Sequence, residues 1–300
     1  MFKTPILFII YNRVELTHDV FQVIQKIQPE KLYVVADGHR PKIEDDYLKC
    51  LRTRSVIMPD WNCDLKTQFR SQHLGKGKGV AAAITWFFEQ EPEGIILYDD
   101  TLPHPDFFEY CRELLEKYRD DHRVAHIGGA NFQKKHRHIG GSYYFSAHPS
   151  IWGWAGWRRS WENYDFKLNS IDALEFPGKI ESYFTKPQES LYWIKRFNLM
   201  KEEEFDMWEY QYYFNLWNQG ALSIAPRINL VTNIGMKGEI RKLRRLSLKS
   251  QPILPIVHPD TVAQNKEADL YYFKKVLIKA FHKKFASWFN KNFLGKSVKI

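Results

Sequence analysis

Gly94-Ile95-Ile96-Leu97-Tyr98-Asp99-Asp100 is the stretch on which the reading of this chain turns. An apolar run ending in two carboxylates describes a short buried strand that delivers Asp99 and Asp100 into a loop. Pro103 and Pro105 keep that loop from becoming helix at once. Paired carboxylates at a strand's carboxyl end suit a divalent cation and a ribose, because magnesium and manganese prefer oxygen ligands and phosphates can complete the shell. The plainer alternative is an acidic turn, Asp being a common turn residue.

Outward from this stretch the same grammar repeats. Residues 5–11 read as strand, 14–28 as amphipathic helix, 32–36 as strand and 66–71 as a further strand. A helix follows over 79–90, then the strand 94–98, a helix over 106–118 and a strand over 123–127. This alternation predicts an α/β fold with a mainly parallel central sheet flanked by helices. Ligands of such sheets gather at the carboxyl ends of the strands. Asn12-Arg13, Asp37-Gly38 and Asp99-Asp100 all fall there, which predicts one shared cleft. The second half is less regular, with a strand over 143–145, a Trp-rich stretch over 151–161, helices over 189–202 and 207–219, and short strands over 221–225 and 228–232. The Pro-containing segment 252–259 reads as a separator, dividing a body of residues 1–250 from a tail of residues 251–300.

Three hundred residues give room for a sizeable core. The ten Trp and an aromatic share of 16% exceed ordinary usage, and such rings stack on sugars and bases as well as filling cores. Cys50, Cys63 and Cys111 share no metal-ligand spacing and read as reduced thiols of a cytoplasmic protein. The apolar run 5–11 is too short for a membrane span and leads into Asn12-Arg13 with no small-residue cleavage site. The net charge of +9 is concentrated: residues 271–300 hold eight lysines and no Asp or Glu. The body is near neutral, which argues against a nucleic-acid partner.

Gly75-Lys76-Gly77-Lys78-Gly79 lacks the Ser or Thr that a triphosphate-binding loop carries after its Gly-Lys. A glycine-rich approach to a helix that passes near a diphosphate or sugar fits it, as does a flexible basic loop.

In sequence order, Pro5-Ile6-Leu7-Phe8-Ile9-Ile10-Tyr11-Asn12-Arg13, Ala36-Asp37-Gly38, Leu74-Gly75, the Asp99-Asp100 stretch and Leu102-Pro103-His104-Pro105 form a series. It continues with His126-Ile127-Gly128-Gly129, Ile151-Trp152-Gly153-Trp154-Ala155, Trp157-Arg158-Arg159, Trp208-Glu209-Tyr210-Gln211 and Asn233-Ile234-Gly235. Over residues 4–235 this series resembles nucleotide-sugar-dependent glycosyltransferases of the GT-A fold. It is most similar to bacterial enzymes of surface-polysaccharide assembly, distant relatives of the N-acetylglucosaminyltransferases of N-glycan synthesis.

The resemblance implies a metal-dependent enzyme using Mn2+ or Mg2+, a nucleotide-sugar donor (UDP-linked) and a saccharide or lipid-linked saccharide acceptor, with inversion of configuration. It implies that Asn12, Arg13 and Asp37 hold the base and ribose, that Asp99 faces the ribose and that Asp100 binds the metal. Gly75, Trp154 and Arg158 are expected beside the donor. Glu209 is expected as the base that takes the acceptor proton, with Asp206 second. Relatives carry Glu-Asp-Asp where this chain has Tyr98-Asp99-Asp100, and a His-containing loop where it has Met236-Lys237-Gly238. These departures keep open a catalytically degenerate module that binds nucleotide-sugar or glycan. In the tail, Phe273, Leu277, Phe281, Phe285, Trp288, Phe289 and Phe293 fall near one helical face among lysines. That pattern suits a basic helical extension on an anionic membrane surface, or a helix packed on the body.

Overall fold

The apolar runs of the first hundred residues become four adjacent parallel strands. The computed structural model describes residues 1–133, 140–171, 175–202, 206–235 and 249–278. In chain order its elements begin β1 (Ile6–Ile10), α1 (Val14–Ile27), β2 (Lys31–Ala36), α2 (Asp46–Arg54), β3 (Asp64–Phe69), α3 (Lys76–Gln90) and β4 (Glu93–Tyr98). They continue with β5 (Thr101–Pro103), α4 (Asp106–Lys117), β6 (Val124–Gly128), β7 (Tyr143–Ser146), β8 (Trp154–Trp157) and the single turn α5 (Arg158–Trp161). Then follow α6 (Phe176–Tyr183), α7 (Pro187–Glu202), α8 (Glu209–Asn218), β9 (Leu222–Pro226), β10 (Val231–Asn233) and α9 (Lys266–Tyr272).

Among the described residues the main sheet has eight strands in the order β3-β2-β1-β4-β8-β6-β9-β7. β8 runs antiparallel to both its neighbours and β7 antiparallel to β9, while the other pairings are parallel. This is the mainly parallel, helix-flanked α/β sheet expected of a GT-A fold. A separate antiparallel ribbon joins β5 to β10 and sets Asn233 opposite Thr101.

The central strands β1, β2 and β4 are covered on both faces and read as continuous apolar runs, whereas the edge strand β3 is polar and largely exposed. Side chains alternate across the sheet as the two-residue strand period requires. Ile6, Phe8, Ile10, Leu32, Val34, Ile95 and Leu97 share one core with α4, whereas Leu7, Tyr33, Val35 and Ile96 share the other with α3 and α8. β8 obeys the same rule, sending Trp154 into the second core and Trp157 into the first. A third cluster gathers α6, α7 and α8 around Trp193, Phe197 and Trp217. None of the helices among the described residues is long and apolar enough to cross a membrane.

The separation expected after residue 250 is corrected by the described part of the tail. Asp106 at the start of α4 accepts the amides of Ile253 and Leu254 at 2.9 and 3.2 Å. Val257 pairs with Ser142, and Asn265 donates its amide to Phe145 of β7. Buried Asp269 of α9 accepts hydrogen bonds from Ser146 Oγ, the Ala147 amide and Gln264 Nε2. α9 then widens into a π-helical turn that sinks Phe273 and Leu277 into the third cluster. Apolar burial and amide pairing thus hold residues 249–278 on the body. The expected membrane-facing positions Phe281, Phe285, Trp288, Phe289 and Phe293 lie outside the described residues.

Asp269→Ala removes the acceptor of three hydrogen bonds at this seam and is expected to cost about 3–4 kcal/mol. Urea unfolding measures it: the midpoint falls while the slope holds. A loss below about 1 kcal/mol, the net worth of one ordinary hydrogen bond, would show that the seam does not depend on this carboxylate.

Candidate active site

At the carboxyl edge of the parallel strands lies a cavity of about 520 Å3. Tyr11 and Arg13 reach it from the end of β1, Asp37 from β2, Arg70 from β3, and Tyr98, Asp99 and Asp100 from β4. His73, Gly75 and Lys76 border it from the loop and first turn of α3, Ile151 and Trp152 from the chain before β8, and Asp206 and Trp208 from the lead-in to α8.

Arg13 ties the ends of two adjacent strands. Its guanidinium makes a bidentate pair with Asp99, the Nη2–Oδ1 contact being the tighter, and Nη1 donates to Asp100 Oδ2 at 2.9 Å. Asp99 is only 2% exposed, and burial pushes its carboxyl up to about 6 against the pull of Arg13. Burial also works against the charge of Arg13, but the two carboxylates outweigh it and the guanidinium holds its proton more firmly than usual. A side chain on Gly235 would put its Cβ 2.5 Å from Asp100 Oδ2 and 2.9 Å from Arg13 Nη1, so glycine is what lets the chain after β10 lie against this pair.

Asp37 organises the loop before α3. Its oxygens accept the amides of Leu74 and Gly75 at 3.0 Å, and His73 Nδ1 lies 2.9 Å from Oδ2. Arg70 is mostly buried, and its nearest carboxylate, Asp37, stands 4.0 Å away. Burial lowers the proton affinity of this guanidinium, with Asp37 opposing.

The glycine-rich stretch is resolved by Asp206. Gly75 adopts φ +84°, a left-handed conformation that favours glycine, and a Cβ there would sit 2.9 Å from Asp206 Oδ2. Asp206 Oδ2 accepts the Lys76 amide at 3.0 Å and Oδ1 the Gly77 amide at 2.5 Å. A carboxylate from 130 residues away therefore caps α3 and lets the helix start three residues before the sequence expectation. Those amides, which a diphosphate would otherwise meet, are already taken.

Glu209, the first residue of α8, places Oε1 3.1 Å from Lys76 Nζ, which itself borders the cavity. Tyr98 packs toward Trp208, with ring centroids 6.4 Å apart, and accepts a hydrogen bond from Trp154 Nε1 at 3.3 Å. Burial raises its phenol far above the ordinary range, so Tyr98 stays neutral.

Three expected positions need correction. Trp154 is 0% exposed, stacked between His126 and Trp208, and its alternation in β8 turns it into the core; Trp152, two residues earlier, borders the cavity instead. Arg158 follows Trp157, which pairs with Glu93 at the amino end of β4, so antiparallel β8 carries it to the opposite edge of the sheet. There its Nε donates to the Phe88 carbonyl. Asn12 does not border the cavity, because its side-chain amide donates to Asp46 Oδ1 at 2.6 Å.

Asp46, Arg40, Arg70 and His73 escaped the sequence reading, whereas Trp152 lay in the Trp-rich stretch without being singled out from Trp154. Arg70 ends β3 at the same edge as the expected residues, so the strand-end rule could have found it. Asp46 is a hub: Tyr11, Asn12 and the backbone and side chain of Arg40 all donate to it. The hydrogen-bonded Arg40 side chain is the main reason its carboxyl is held well below the usual carboxylate range.

The donor set fits a divalent cation only with help from a ligand. The described residues contain no group of three His, Cys, Asp or Glu side chains placed to hold a metal. Asp100 shares Oδ2 with Arg13, while Oδ1 takes no hydrogen bond among the described residues. One carboxylate completed by phosphates and water is an ordinary magnesium or manganese arrangement.

No protein-family model matches this chain, and no curated protein matches it. Among solved structures, a mannosyltransferase from Pyrobaculum calidifontis in complex with GDP-Man and Mn2+ is similar over 73% of this chain and 73% of its own, at 13% identity and a TM-score of 0.39. HddC from Yersinia pseudotuberculosis aligns over 56% of this chain and 85% of its own, at 10% identity and a TM-score of 0.34. A UDP-glucose pyrophosphorylase complexed with UDP-glucose aligns over 53% and 78%, at 10% identity and a TM-score of 0.30. Similarities this slight add nothing to the geometry of the cleft.

Asp46→Asn is expected to cost about 2–4 kcal/mol at pH 7, since several bonds to a buried charged acceptor are lost. A carboxyl held low in the folded state contributes stability that is fully present above pH about 4 and lost as the pH falls further. Urea titrations at pH 7 and pH 3 should therefore show the gap between wild type and variant shrinking in acid; a constant gap would show that the charge of Asp46 is not what holds this hub.

Proposed function

We propose that the chain is a GT-A-type glycosyltransferase. In this reading it moves a sugar from a nucleotide-diphosphate donor, UDP-linked, to a saccharide or lipid-linked saccharide acceptor in cell-surface polysaccharide assembly, on the cytoplasmic side. The observation that carries the reading is convergence: Arg13, Asp37, Asp99 and Asp100, drawn from three strand ends, border one cavity, and Glu209 bonds to Lys76 on its border.

Arg13 and Asp99 form a rigid edge against which a ribose is oriented, while the rings of Tyr11 and Trp152 offer flat walls to base or sugar. Arg40, Arg70 and Lys76 bring positive charge to the diphosphate. Asp100 would hold Mn2+ or Mg2+ with the diphosphate oxygens completing its shell. A cation there neutralises charge on the departing nucleoside diphosphate.

In an inverting transfer the acceptor oxygen bonds to the anomeric carbon as the bond from that carbon to the phosphate oxygen breaks. The electron pair leaves with the diphosphate, and the acceptor proton passes to a carboxylate. Glu209 is the better base than Asp206. Both carboxylates have each oxygen engaged, Glu209 by Lys76 Nζ and the Trp208 amide at 3.1 and 3.2 Å. The bonds of Asp206, at 3.0 and 2.5 Å, cap α3, however, and protonating it would uncap the helix.

A degenerate binding module is the second reading, favoured by Tyr98, whose neutral phenol offers no carboxylate where relatives carry one. Turnover separates the two. Calorimetry with UDP and a panel of UDP-sugars, in Mn2+ and in EDTA, is expected to show metal-dependent binding that Asp100→Ala abolishes. Glu209→Gln should leave donor affinity unchanged while lowering kcat by about 10²–10⁴-fold. Donor binding with neither transfer nor hydrolysis by the wild type would favour the module, and failure of the folded protein to bind any member of the panel would remove the UDP assignment.

A further inference from the structure

Glu209 is covered by a cation that can leave. Lys76 Nζ lies 3.1 Å from Glu209 Oε1, and among the described residues that ammonium bonds to nothing else. The two partners differ in exposure: the Lys76 side chain is 62% open to solvent and that of Glu209 only 13%. Lys76 borders the cavity and Glu209 does not. The other oxygen of Glu209 accepts the Trp208 amide at 3.2 Å. Oε1, the oxygen left to take a proton from an acceptor hydroxyl, is therefore occupied by an ammonium.

Among the described residues three arginines and one lysine border the cavity, and the lysine is the one free to change partners. Arg13 is tied to Asp99 and Asp100, and Arg40 to buried Asp46. Arg70 donates to the Gly79 carbonyl from a mostly buried position. Lys76 is held by a single exposed ion pair, a contact weak enough to yield to a better anion. Its backbone cannot follow, because the Asp206 carboxylate grips the Lys76 amide at 3.0 Å. Any movement is a rotation of the flexible four-carbon stem about a fixed Cα. Glu209 stays in place for a matching reason, since the Trp208 amide retains Oε2 once the ammonium has gone.

The geometry points to Lys76 as a gate on the base, closed on Glu209 in the free protein and opened by the diphosphate of the donor. A diphosphate brings several charged oxygens to the ammonium where Glu209 offers one, so Lys76 moves onto the phosphates when the nucleotide fills the cavity. The move uncovers Glu209 Oε1, and an acceptor hydroxyl that arrives next meets a carboxylate able to take its proton. An acceptor that arrives first meets the ammonium instead. Lys76 is a positioning residue in this account, entering no bond that the transfer makes or breaks. The gate rests on the glycosyltransferase reading for what Glu209 does, but the exchange of partners involves only Lys76, Glu209 and a diphosphate.

Zero-length cross-linking of the full chain reads the gate directly. A water-soluble carbodiimide joins an ammonium to a carboxylate only where the two touch, and peptide mass spectrometry locates the amide formed. The Lys76–Glu209 cross-link is expected in the free protein. Inorganic diphosphate with Mg2+, and UDP, should each reduce it by about fivefold or more, while uridine leaves it unchanged. Lys31 and Glu91, 2.9 Å apart at the opposite edge of the sheet, provide an internal reference whose cross-link stays constant. Absence of the Lys76–Glu209 cross-link from the free protein, or its persistence in excess UDP and excess diphosphate alike, would overturn the gate. An equal loss with uridine, or with sodium chloride of the same ionic strength, would do the same. Lys76→Met alters an exposed side chain and should weaken UDP binding about tenfold with uridine binding unchanged. Equal affinity of both proteins for UDP would keep the ammonium off the phosphates and sink the gate. If UDP fails to bind while inorganic diphosphate still clears the cross-link, the donor assignment falls and the exchange of partners stands.

Discussion

One arginine set between two aspartates holds the cleft in shape. β1 and β4 are neighbours whose backbone pairing closes with the Asp99 amide on the Ile9 carbonyl, and beyond that point the Arg13 guanidinium adds a side-chain tie between the two strand ends. Asp99 is nearly sealed from water, so removing the guanidinium would strand a buried carboxylate, a fault of about 3–5 kcal/mol. The orientation of Asp100 is set from the same group, and so is the room left for Gly235. The β5–β10 ribbon is anchored there too, through the Ile234 amide on the Asp100 carbonyl. A cleft carboxylate, a strand junction and a loop are thus referred to one side chain.

The cleft divides its carboxylates into two kinds. Asp37, Asp46 and Asp206 are filled by protein donors: they fix the loop before α3, the turn from β1 into α1, and the first turn of α3. Asp100, bonded through Oδ2 to Arg13, and Glu209, which accepts from Lys76 Nζ and the Trp208 amide without capping a helix, are the two for which chemistry is proposed. The first kind makes the second dependable, because the loops that border the cavity are pinned by charge-assisted bonds rather than by packing alone. Asp206 shows how completely the chain uses its own anions, since it occupies amides that a reader of the glycines alone would offer to a phosphate.

Local pattern was a good guide where the strand period and the strand-end rule apply. The runs around Ile6, Leu32 and Ile95 mark buried parallel strands, and Arg13, Asp37 and Asp99 follow directly from where those strands stop. It failed where register or distant pairing decides. Trp152 and Trp154 share a face of any extended segment, so only the seating of β8 between β4 and β6 tells that one meets the cavity and the other the core. Arg158 looked like a phosphate contact until the antiparallel direction of β8 carried it to the far edge. α2 has little apolar periodicity to announce it, its place being set by Asp46 and its bonds to β1, which no local window contains. The seam of residues 249–278 was hidden for the same reason: Asp106 and Asp269 bind segments remote in sequence.

That seam also bears on how the protein is made. Strands β1 to β4 are supplied by the first 98 residues, so half of the sheet can assemble while the rest is still on the ribosome. The other half is interleaved, since β8 lies between β4 and β6, β9 separates β6 from β7, and β7 is latched only when Asp269 arrives. During synthesis β4 therefore waits with an open edge until β8 has emerged, and β7 waits longer still. An open edge is where unintended pairing begins. The polar Tyr98-Asp99-Asp100 end of β4 lies on that waiting edge, so the residues that serve the cleft in the finished protein also interrupt the apolar run at the time it is most exposed.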